Sequence, residues 1–172
     1  MLVVPSRADY TNFDIIIIDN GSPDGSVEFI RQNYPNVKLV ELKSNMGYSV
    51  GLNIGIEQSK SKYVIALNND TTLDPNWLKE LVNASESDVH IGSCQPKILS
   101  QNNPEIIDSV GLAINKNGDV LQVGAQEQDK GQYNRPKELL GACSASIMYR
   151  RNAILHIGCF DPDSFAYFED VD

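Results

Sequence analysis

Short apolar runs alternate with amphipathic segments along the first half of the chain. Three of these runs predict buried strands, because a strand covered on both faces need not alternate apolar with polar residues: 13–19, 37–42 and 62–70. Helical patterns follow each run, in residues 26–35, 45–60 and 74–87. The last helix is expected to have Asp74 as its N-cap and Pro75 in its first turn. Strand–helix–strand alternation indicates an α/β fold with a mainly parallel sheet.

The pattern changes in the second half of the chain. Residues 89–99 predict a fourth strand, and residues 106–124 predict a small antiparallel hairpin with Asn117 and Gly118 at its tip. Residues 141–151 predict another strand, followed by a short helix. Residues 126–138 are rich in Gln, Lys, Asp and Asn, which predicts a mobile loop that could close over a bound ligand.

Both ends of the chain are unusual for the single domain expected over residues 1–172. If residues 2–4 form a first strand, only the ten residues 5–14 separate it from the next one. A helical crossover needs about a dozen residues or more, so a first βα unit is cut short or missing. The chain also stops at FEDVD, directly after a cluster of acids. We therefore expect truncation at both ends.

Composition and charge limit the classes of partner. The net charge of −9 argues against nucleic acid and against an anionic membrane surface, because both require clustered Lys and Arg. The apolar runs are too short for a transmembrane segment, and Arg7 and Asp9 interrupt the start of any signal peptide. Three cysteines without paired spacing suggest reduced thiols and a cytoplasmic protein.

Two predicted strands end in polar side chains that could form a site. Asp19 ends the first run, and Asn68, Asn69 and Asp70 end the third. Parallel strands place their carboxyl ends at one edge of the sheet, where α/β proteins bind ligands. Asp19 could accept hydrogen bonds from a nucleobase or ribose, and Asp70 could bind a divalent cation that bridges two phosphates. The alternatives are an Asx-turn cap for Asp19 and a turn before a helix for Asp70.

The order of these motifs resembles that of the family 2 glycosyltransferases, which have the GT-A fold. The residues that carry the resemblance are IIIIDNGSPDGS, NMGYSVGLNIGI, YVIALNNDTTLDPNWL, GACSASIMYRR, IGCFD and FAYFEDVD. The similarity is greatest to the rhamnosyltransferase-like branch. It implies a nucleotide-diphospho-sugar transferase with a Rossmann-like, mainly parallel sheet and a small antiparallel hairpin.

The resemblance also implies roles for particular residues. Asp170, beside Glu169, matches the family's catalytic base, and Asp70 matches the metal-binding acid for Mg²⁺ or Mn²⁺. Asn68 stands where the family's metal motif has its first Asp, so the metal would depend mainly on Asp70. The matched donor-binding positions are Asp19, Asn45, Gly47, Asn53, Asn68, Asn69, Gly141 and Ala142.

The implied activity is metal-dependent, inverting transfer of a sugar from a nucleoside-diphosphate sugar to a hydroxyl of a glycan or lipid-linked acceptor. Polysaccharide or cell-wall biosynthesis fits, in the cytoplasm or peripherally at the inner face of the membrane. Two other functions stay open. A nucleotidyltransferase shares a similar sheet, although the basic glycine-rich loop it requires is not visible in the sequence. A non-catalytic nucleotide-sugar-binding module is favoured by Asn68 and by the clipped ends.

Overall fold

The computed structural model describes residues 10–165, which divide into two compact units. The amino-terminal unit comprises residues 11–64 and 151–165, and the central unit comprises residues 65–150 together with Tyr10. The division falls within the strand Tyr63–Leu67. This division does not test the expectation of a single domain. Two predicted site residues, Glu169 and Asp170, lie outside the described residues.

The amino-terminal unit alternates strands and helices as the sequence predicts. Its elements are β1 (Ile16–Asp19), α1 (Ser26–Asn33), β2 (Lys38–Glu41), α2 (Tyr48–Gln58), the first residues of β3 (Tyr63–Leu67) and α4 (Arg151–Ile157). Strands β1 and β2 pair in parallel, with Ile17 opposite Leu39. The buried apolar residues of this unit are Val27, Ile56, Ile154 and Phe160.

The inner face of α1 differs from the one the sequence suggests. The apolar pattern predicts that Val27, Phe29 and Ile30 all pack inward, yet Phe29 is half exposed. Its ring instead meets the ring of Tyr34 edge to face, with the centroids 6.2 Å apart. Val27 alone is buried along this helix. The edge-to-face contact holds both rings at the helix end, where each stays about half exposed.

The central unit contains mostly short antiparallel strands. After β3 its elements are α3 (Trp77–Ser87), β4 (Ser93–Cys94), β5 (Ile98–Leu99), β6 (Ile107–Ser109), β7 (Leu112–Ile114), β8 (Val120–Gln122) and β9 (Ser146–Arg150). Strand β9 lies between β3 and β4, and further pairs join β5 to β6 and β7 to β8. The buried apolar residues include Leu78, Leu81, Ile107, Leu112, Ile147 and Met148.

The sheets are therefore more antiparallel than the sequence predicts. Residues 89–99 do not form one parallel strand, because the run is interrupted between β4 and β5 at Pro96, which has no N–H for a strand ladder. Strand β4 pairs antiparallel with β9, with Cys94 opposite Met148. The connections between β5 and β8 are too short for helical crossovers, so neighbouring strands run antiparallel. The α/β class is confirmed, with a mixed arrangement of strands.

The predicted hairpin is confirmed as β7 and β8. Ile114 is opposite Val120 across the pair. At the tip, the Asn115 Oδ1 accepts hydrogen bonds from the backbone N–H groups of Asn117 and Asp119, at 2.8 and 3.0 Å. Gly118 has a φ of 89°, a left-handed conformation that glycine adopts without strain.

Helix α3 begins later than the sequence predicts. The N-cap is Asn76 rather than Asp74, and Trp77 is the first helical residue. The Asp74 carboxylate accepts a hydrogen bond from the Asn76 N–H at 2.8 Å, and the Asp74 carbonyl accepts one from the Trp77 N–H at 3.0 Å. Asp74 therefore closes a turn that precedes the helix. Its carboxylate accepts a backbone N–H two residues further on, as an N-cap carboxylate would, but it does so before the helix begins.

Consecutive arginines at the end of β9 cap the carboxyl ends of two helices. The Arg150 guanidinium donates hydrogen bonds to the carbonyls of Ser85, Asp88 and Ile91, at 2.8, 3.2 and 3.0 Å. The Arg151 Nε donates to the Ile56 carbonyl at 3.1 Å, in the last turn of α2. The carbonyls of Ser85 and Ile56 lie in the last turns of α3 and α2, at the negative end of the helix dipole, so a cation there is stabilising.

The first four residues of the predicted mobile loop are attached to β6 and its neighbours. Residue 107 exchanges two backbone hydrogen bonds with this segment: its N–H donates to the Glu127 carbonyl at 2.8 Å, and its carbonyl accepts from the Gln126 N–H at 2.9 Å. The Lys97 Nζ and the Asp129 Oδ2 form an ion pair at 2.5 Å. The hydrogen bond from Lys97 holds the pKa of Asp129 below its usual value. Because residues 126–129 are paired in this way, they cannot move as a free flap.

The three cysteines are free thiols. Cys94 lies in the central unit with its Sγ 3.0 Å from the Ser85 Oγ, and burial raises the pKa of its thiol. Burial also raises the pKa of Cys159, and the negative charge of Glu57 adds to this effect. The raised pKa values disfavour the nucleophilic thiolate form at neutral pH.

Candidate functional site

Asp19 ends β1 with one carboxylate oxygen engaged by the following turn. Its Oδ2 accepts hydrogen bonds from the backbone N–H groups of Gly21 and Ser22, both at 3.1 Å. The residue is 7% exposed, and its Oδ1 accepts no hydrogen bond from the part of the chain that the structure describes. Asp19 therefore forms the Asx-turn that the sequence left as an alternative, and the turn fixes the carboxylate while leaving Oδ1 to accept another donor.

Asn20 joins the turn after β1 to the loop before α2. Its Nδ2 donates to the Asn45 Oδ1 and to the Gly47 carbonyl, both at 3.0 Å. Its Oδ1 accepts from the Met46 N–H at 2.8 Å. Asn20 was not among the site residues predicted from the sequence. Only the pairing of turn chemistry in DNGS with a second Asn–x–Gly loop could have suggested it.

Gly47 occupies a conformation that only glycine adopts readily. Its φ of 91° and ψ of 166° lie in a region that is essentially closed to other residues. A Cβ at this position would lie 2.5 Å from the Phe165 carbonyl oxygen. The same carbonyl accepts a hydrogen bond from the Tyr48 N–H at 2.6 Å, at the start of α2. Gly47 therefore allows the backbone of Phe165 to approach the amino end of this helix.

Replacing Gly47 with Ala is expected to lower the free energy of unfolding by about 2 kcal/mol or more, from backbone strain and from the contact with Phe165. Denaturant unfolding measures this change. Gly25→Ala introduces the smaller strain of a left-handed residue without a close contact, because Gly25 has a φ of 83° and open space around it, and about 1 kcal/mol is expected. Gly92→Ala is the control without either cause. Equal losses in all three variants would contradict the assignment.

Asn53 fastens α2 to the segment after α4. Its Nδ2 donates to the Phe160 carbonyl at 2.8 Å, and its Oδ1 accepts from the Phe160 N–H at 3.0 Å. Both ends of the amide are thus engaged by one residue. This arrangement orients the Asn53 amide, and its expected contact with a donor stays a prediction.

The residues after β3 form the predicted turn. The Asn68 N–H donates to the Ala145 carbonyl at 3.1 Å, and the Thr71 Oγ1 donates to the Asn68 carbonyl at 2.8 Å. Asn69 and Asp70 are exposed within this turn. The backbone of Asn68 is thus fixed, and the Asp70 carboxylate is accessible to a ligand.

Gly141 and Ala142 lie beside β7 in the same unit as Asp70. The Leu112 N–H donates to the Gly141 carbonyl at 2.9 Å, and the two residues form an antiparallel bridge. Ala142 is half-buried. The next residue, Cys143, donates its N–H to the Gln95 Oε1 at 2.5 Å. These bonds fix the backbone on both sides of Ala142.

The predicted site residues fall into two groups. Asp19, Asn45, Gly47 and Asn53 belong to the amino-terminal unit, and Asn68, Asn69, Asp70, Gly141 and Ala142 belong to the central unit. The expected meeting of Asp19 with Asp70 at one cleft stays a prediction, as do the roles of Glu169 and Asp170, which lie outside the described residues.

Asp70 is not part of a ready-made cluster of metal ligands. Within residues 10–165, no three His, Cys, Asp or Glu side chains are grouped closely enough to hold an ion. One exposed carboxylate fits Mg²⁺ or Mn²⁺ bound chiefly through substrate phosphates and water, rather than an ion enclosed by protein.

No described helix is both long enough and apolar enough to span a bilayer.

Comparisons with known proteins agree with this architecture. An uncharacterized glycosyltransferase of Escherichia coli (strain K12) is 38% identical over 89 residues, covering 49% of this chain and 26% of that protein. The N-acetylglucosaminyl-diphospho-decaprenol L-rhamnosyltransferase of Mycobacterium tuberculosis (strain CDC 1551 / Oshkosh) is 26% identical over 182 residues. That match covers 92% of this chain and 58% of the relative. The chain thus spans from about a quarter to somewhat over half the length of these relatives.

A solved structure extends the likeness to the fold. The mannosyltransferase of Pyrobaculum calidifontis in complex with GDP-Man and Mn²⁺ superposes with a TM-score of 0.62 at 15% identity, covering 91% of this chain and 41% of that one. The fold is thus the GT-A fold of glycosyltransferases, as the sequence predicts. The sequence model of the family described as "Glycosyl transferase family 2" matches residues 4–158. The chain belongs to glycosyl transferase family 2.

Proposed function

We propose that this chain forms the donor-binding part of an inverting glycosyltransferase that uses a nucleoside-diphosphate sugar. The observation that carries the proposal is the Asp19 carboxylate, whose Oδ2 is held by its own turn and whose Oδ1 accepts no hydrogen bond within residues 10–165. A nucleobase N–H or a ribose hydroxyl is the expected partner of that oxygen. Family membership supports the same assignment.

The donor's diphosphate needs a counter-charge in a protein with a net charge of −9. Asp70 would hold Mg²⁺ or Mn²⁺, supported by Mn²⁺ in the mannosyltransferase of similar fold. The ion, when bound, supplies neutralisation of the charge that develops on the leaving diphosphate. Asn68 and Asn69 offer amide groups for the ribose or for water beside the same turn. Gly141 and Ala142 would shape the pocket for the donor sugar and the acceptor.

Transfer also requires removal of a proton from the acceptor hydroxyl. Asp170 is assigned this role of general base, with Glu169 beside it, because both match the family's Glu–Asp pair. With one base and no carboxylate nucleophile, the acceptor oxygen attacks from the face opposite the diphosphate. A single displacement of this kind inverts the configuration at the anomeric carbon.

The acceptor is proposed to be a glycan or a lipid-linked saccharide. The name of the Mycobacterium tuberculosis relative, a rhamnosyltransferase acting with N-acetylglucosaminyl-diphospho-decaprenol, supports a lipid-linked acceptor in cell-wall synthesis. Such an acceptor would place the reaction in the cytoplasm at the inner face of the membrane, where the protein would associate peripherally. The nucleoside-diphosphate sugar that binds in the titration below would identify the sugar that is transferred.

Titrating the protein with uridine, guanosine and thymidine diphosphate sugars, in Mn²⁺ and then in EDTA, tests the proposal. We expect one donor to bind with a dissociation constant that weakens at least about tenfold when the ion is removed, because the diphosphate loses its counter-charge. Preference for a free nucleoside triphosphate would indicate a nucleotidyltransferase. Donor binding without turnover, with acceptor present, would indicate a binding module. Either result would overturn the proposed transfer.

A further inference from the structure

We propose that Asn20 is a positioning residue that holds the two loops of the donor site at a fixed spacing. One loop is the Asp19 turn, residues 19–22, and the other is the 44–47 loop before α2. The inference rests on the proposed function, because it takes both loops to contact the donor. Asn20 itself is not expected to touch the reacting atoms.

The first argument is that the Asn20 carboxamide is engaged on both sides. Its NH₂ group donates twice, to the Asn45 Oδ1 and to the Gly47 carbonyl, and its oxygen accepts from the Met46 N–H. An amide side chain offers two donors and one oxygen acceptor, so each of its groups is used here. All three partners belong to one loop, 25 to 27 residues further along the chain.

The second argument is a close approach of the two backbones. Gly21 has a φ of 79°, and a Cβ at this position would lie 2.8 Å from the Ser44 Cα. The loops therefore touch where no side chain fits between them. In addition, the Asn45 Oδ1 accepts from the Gly47 N–H at 2.9 Å, so the oxygen that binds Asn20 also fixes the start of α2.

These contacts connect Asn20 to the carboxylate next to it. Gly21 packs against Ser44, and its N–H is one of the two that hold the Asp19 Oδ2. Loosening the 44–47 loop should therefore loosen the turn that orients Asp19. A site whose parts are already at their bound spacing loses less conformational freedom when a ligand binds, so its affinity is higher.

The chemistry of the contacts requires an amide at this position. A carboxylate in place of Asn20 keeps the acceptor but loses both N–H donors, and it faces the Asn45 Oδ1 and the Gly47 carbonyl, which are acceptors too. It would also add a negative charge next to Asp19. Asn20→Asp therefore changes the link between the loops with almost no change in side-chain size.

The test compares Asn20→Asp and Asn20→Ala with the control Asn33→Asp, using the donor found in the titration above. Asn33 lies on α1 in the same unit, and its amide donates to the Phe29 carbonyl at 2.8 Å. We expect KM for the donor to rise about tenfold in both Asn20 variants, with kcat within about twofold. The control should leave both constants unchanged. A KM equal to that of the wild type, or an equal fall in kcat, would overturn the inference.

Hydrogen exchange of the ligand-free protein gives a second measurement that does not depend on the donor. Asn20→Ala should lower the protection of the Met46 amide directly, and that of the Gly21 and Ser22 amides through the coupled loops. Loss of protection at Met46 alone would show that the loops are not coupled and would overturn the inference. A wild-type protein that binds no nucleotide sugar would instead refute the proposed function, and with it the role of Asn20 in donor binding.

Discussion

Replacing Asp170 with Asn is expected to lower the rate of sugar transfer by about a hundredfold or more, while the dissociation constant of the donor stays within about twofold. The amide has nearly the same shape as the carboxylate but cannot take the proton from the acceptor hydroxyl. The loss should therefore appear in kcat, measured with saturating donor and acceptor. Asp163→Asn is the matched control, since it makes the same change at an exposed acid seven residues earlier.

Asp70→Ala should give the opposite signature. Removal of the carboxylate that is assigned to the ion should weaken binding of the nucleoside diphosphate in Mn²⁺ by about tenfold, and should have much less effect in EDTA. The two variants thus separate a group that acts on the acceptor from a group that acts on the donor. If both variants lost donor affinity and turnover equally, the roles of Asp70 and Asp170 would be misassigned.

Replacing Arg150 with Met is expected to lower the free energy of unfolding by about 3 kcal/mol. The side chain donates three hydrogen bonds to carbonyls at and beyond the end of α3. We expect about 1 kcal/mol from each, below the usual contribution of a charged donor, because two of the bonds are only partly buried and the third is exposed. Methionine retains most of the apolar stem but satisfies none of these acceptors. Denaturant unfolding followed by circular dichroism measures the difference.

Arg31→Met is the matched control for this experiment. Arg31 pairs with Glu41 at 2.5 Å, but both side chains are largely exposed, at 57% and 40%. Solvent screens such a pair, so a loss below about 1 kcal/mol is expected. Arg150→Lys should resemble Arg150→Met, because an ammonium group cannot reproduce the fork of the guanidinium. A loss for Arg150→Met no larger than that of the control would show that the cap contributes little.

The sequence predicted the elements where local patterns are strong. The apolar run of β1, the Asn117–Gly118 hairpin and the strand that becomes β9 were all expected from short segments. The errors arose where tertiary packing decides. Phe29 fits the helical pattern, yet its exposure depends on Tyr34 beyond the helix. Residues 89–99 look like one strand, yet Pro96 and the pairing of β4 with β9 divide them.

The candidate site shows the same division between local and tertiary information. Asp19 was expected as a ligand or as a turn cap, and its two oxygens leave room for both roles. Asn53 was expected at the donor, which stays a prediction, whereas the bonds of its amide to Phe160, 107 residues away, could not be expected from a local pattern. Asn20 gave no signal, because its three partners lie in a distant loop whose position no local pattern reveals.

Helix α2 also determines where extra residues could be accommodated. The Asn53 amide hydrogen-bonds the backbone of Phe160, and the Tyr48 N–H donates to the carbonyl of Phe165. Both ends of the turn 160–165 are therefore bound to helix α2. Residues inserted between these two anchors would bulge into solvent and leave Phe165 in place. The turn is therefore a point where natural or engineered variants can differ in length, or carry a fused tag, without altering either anchor.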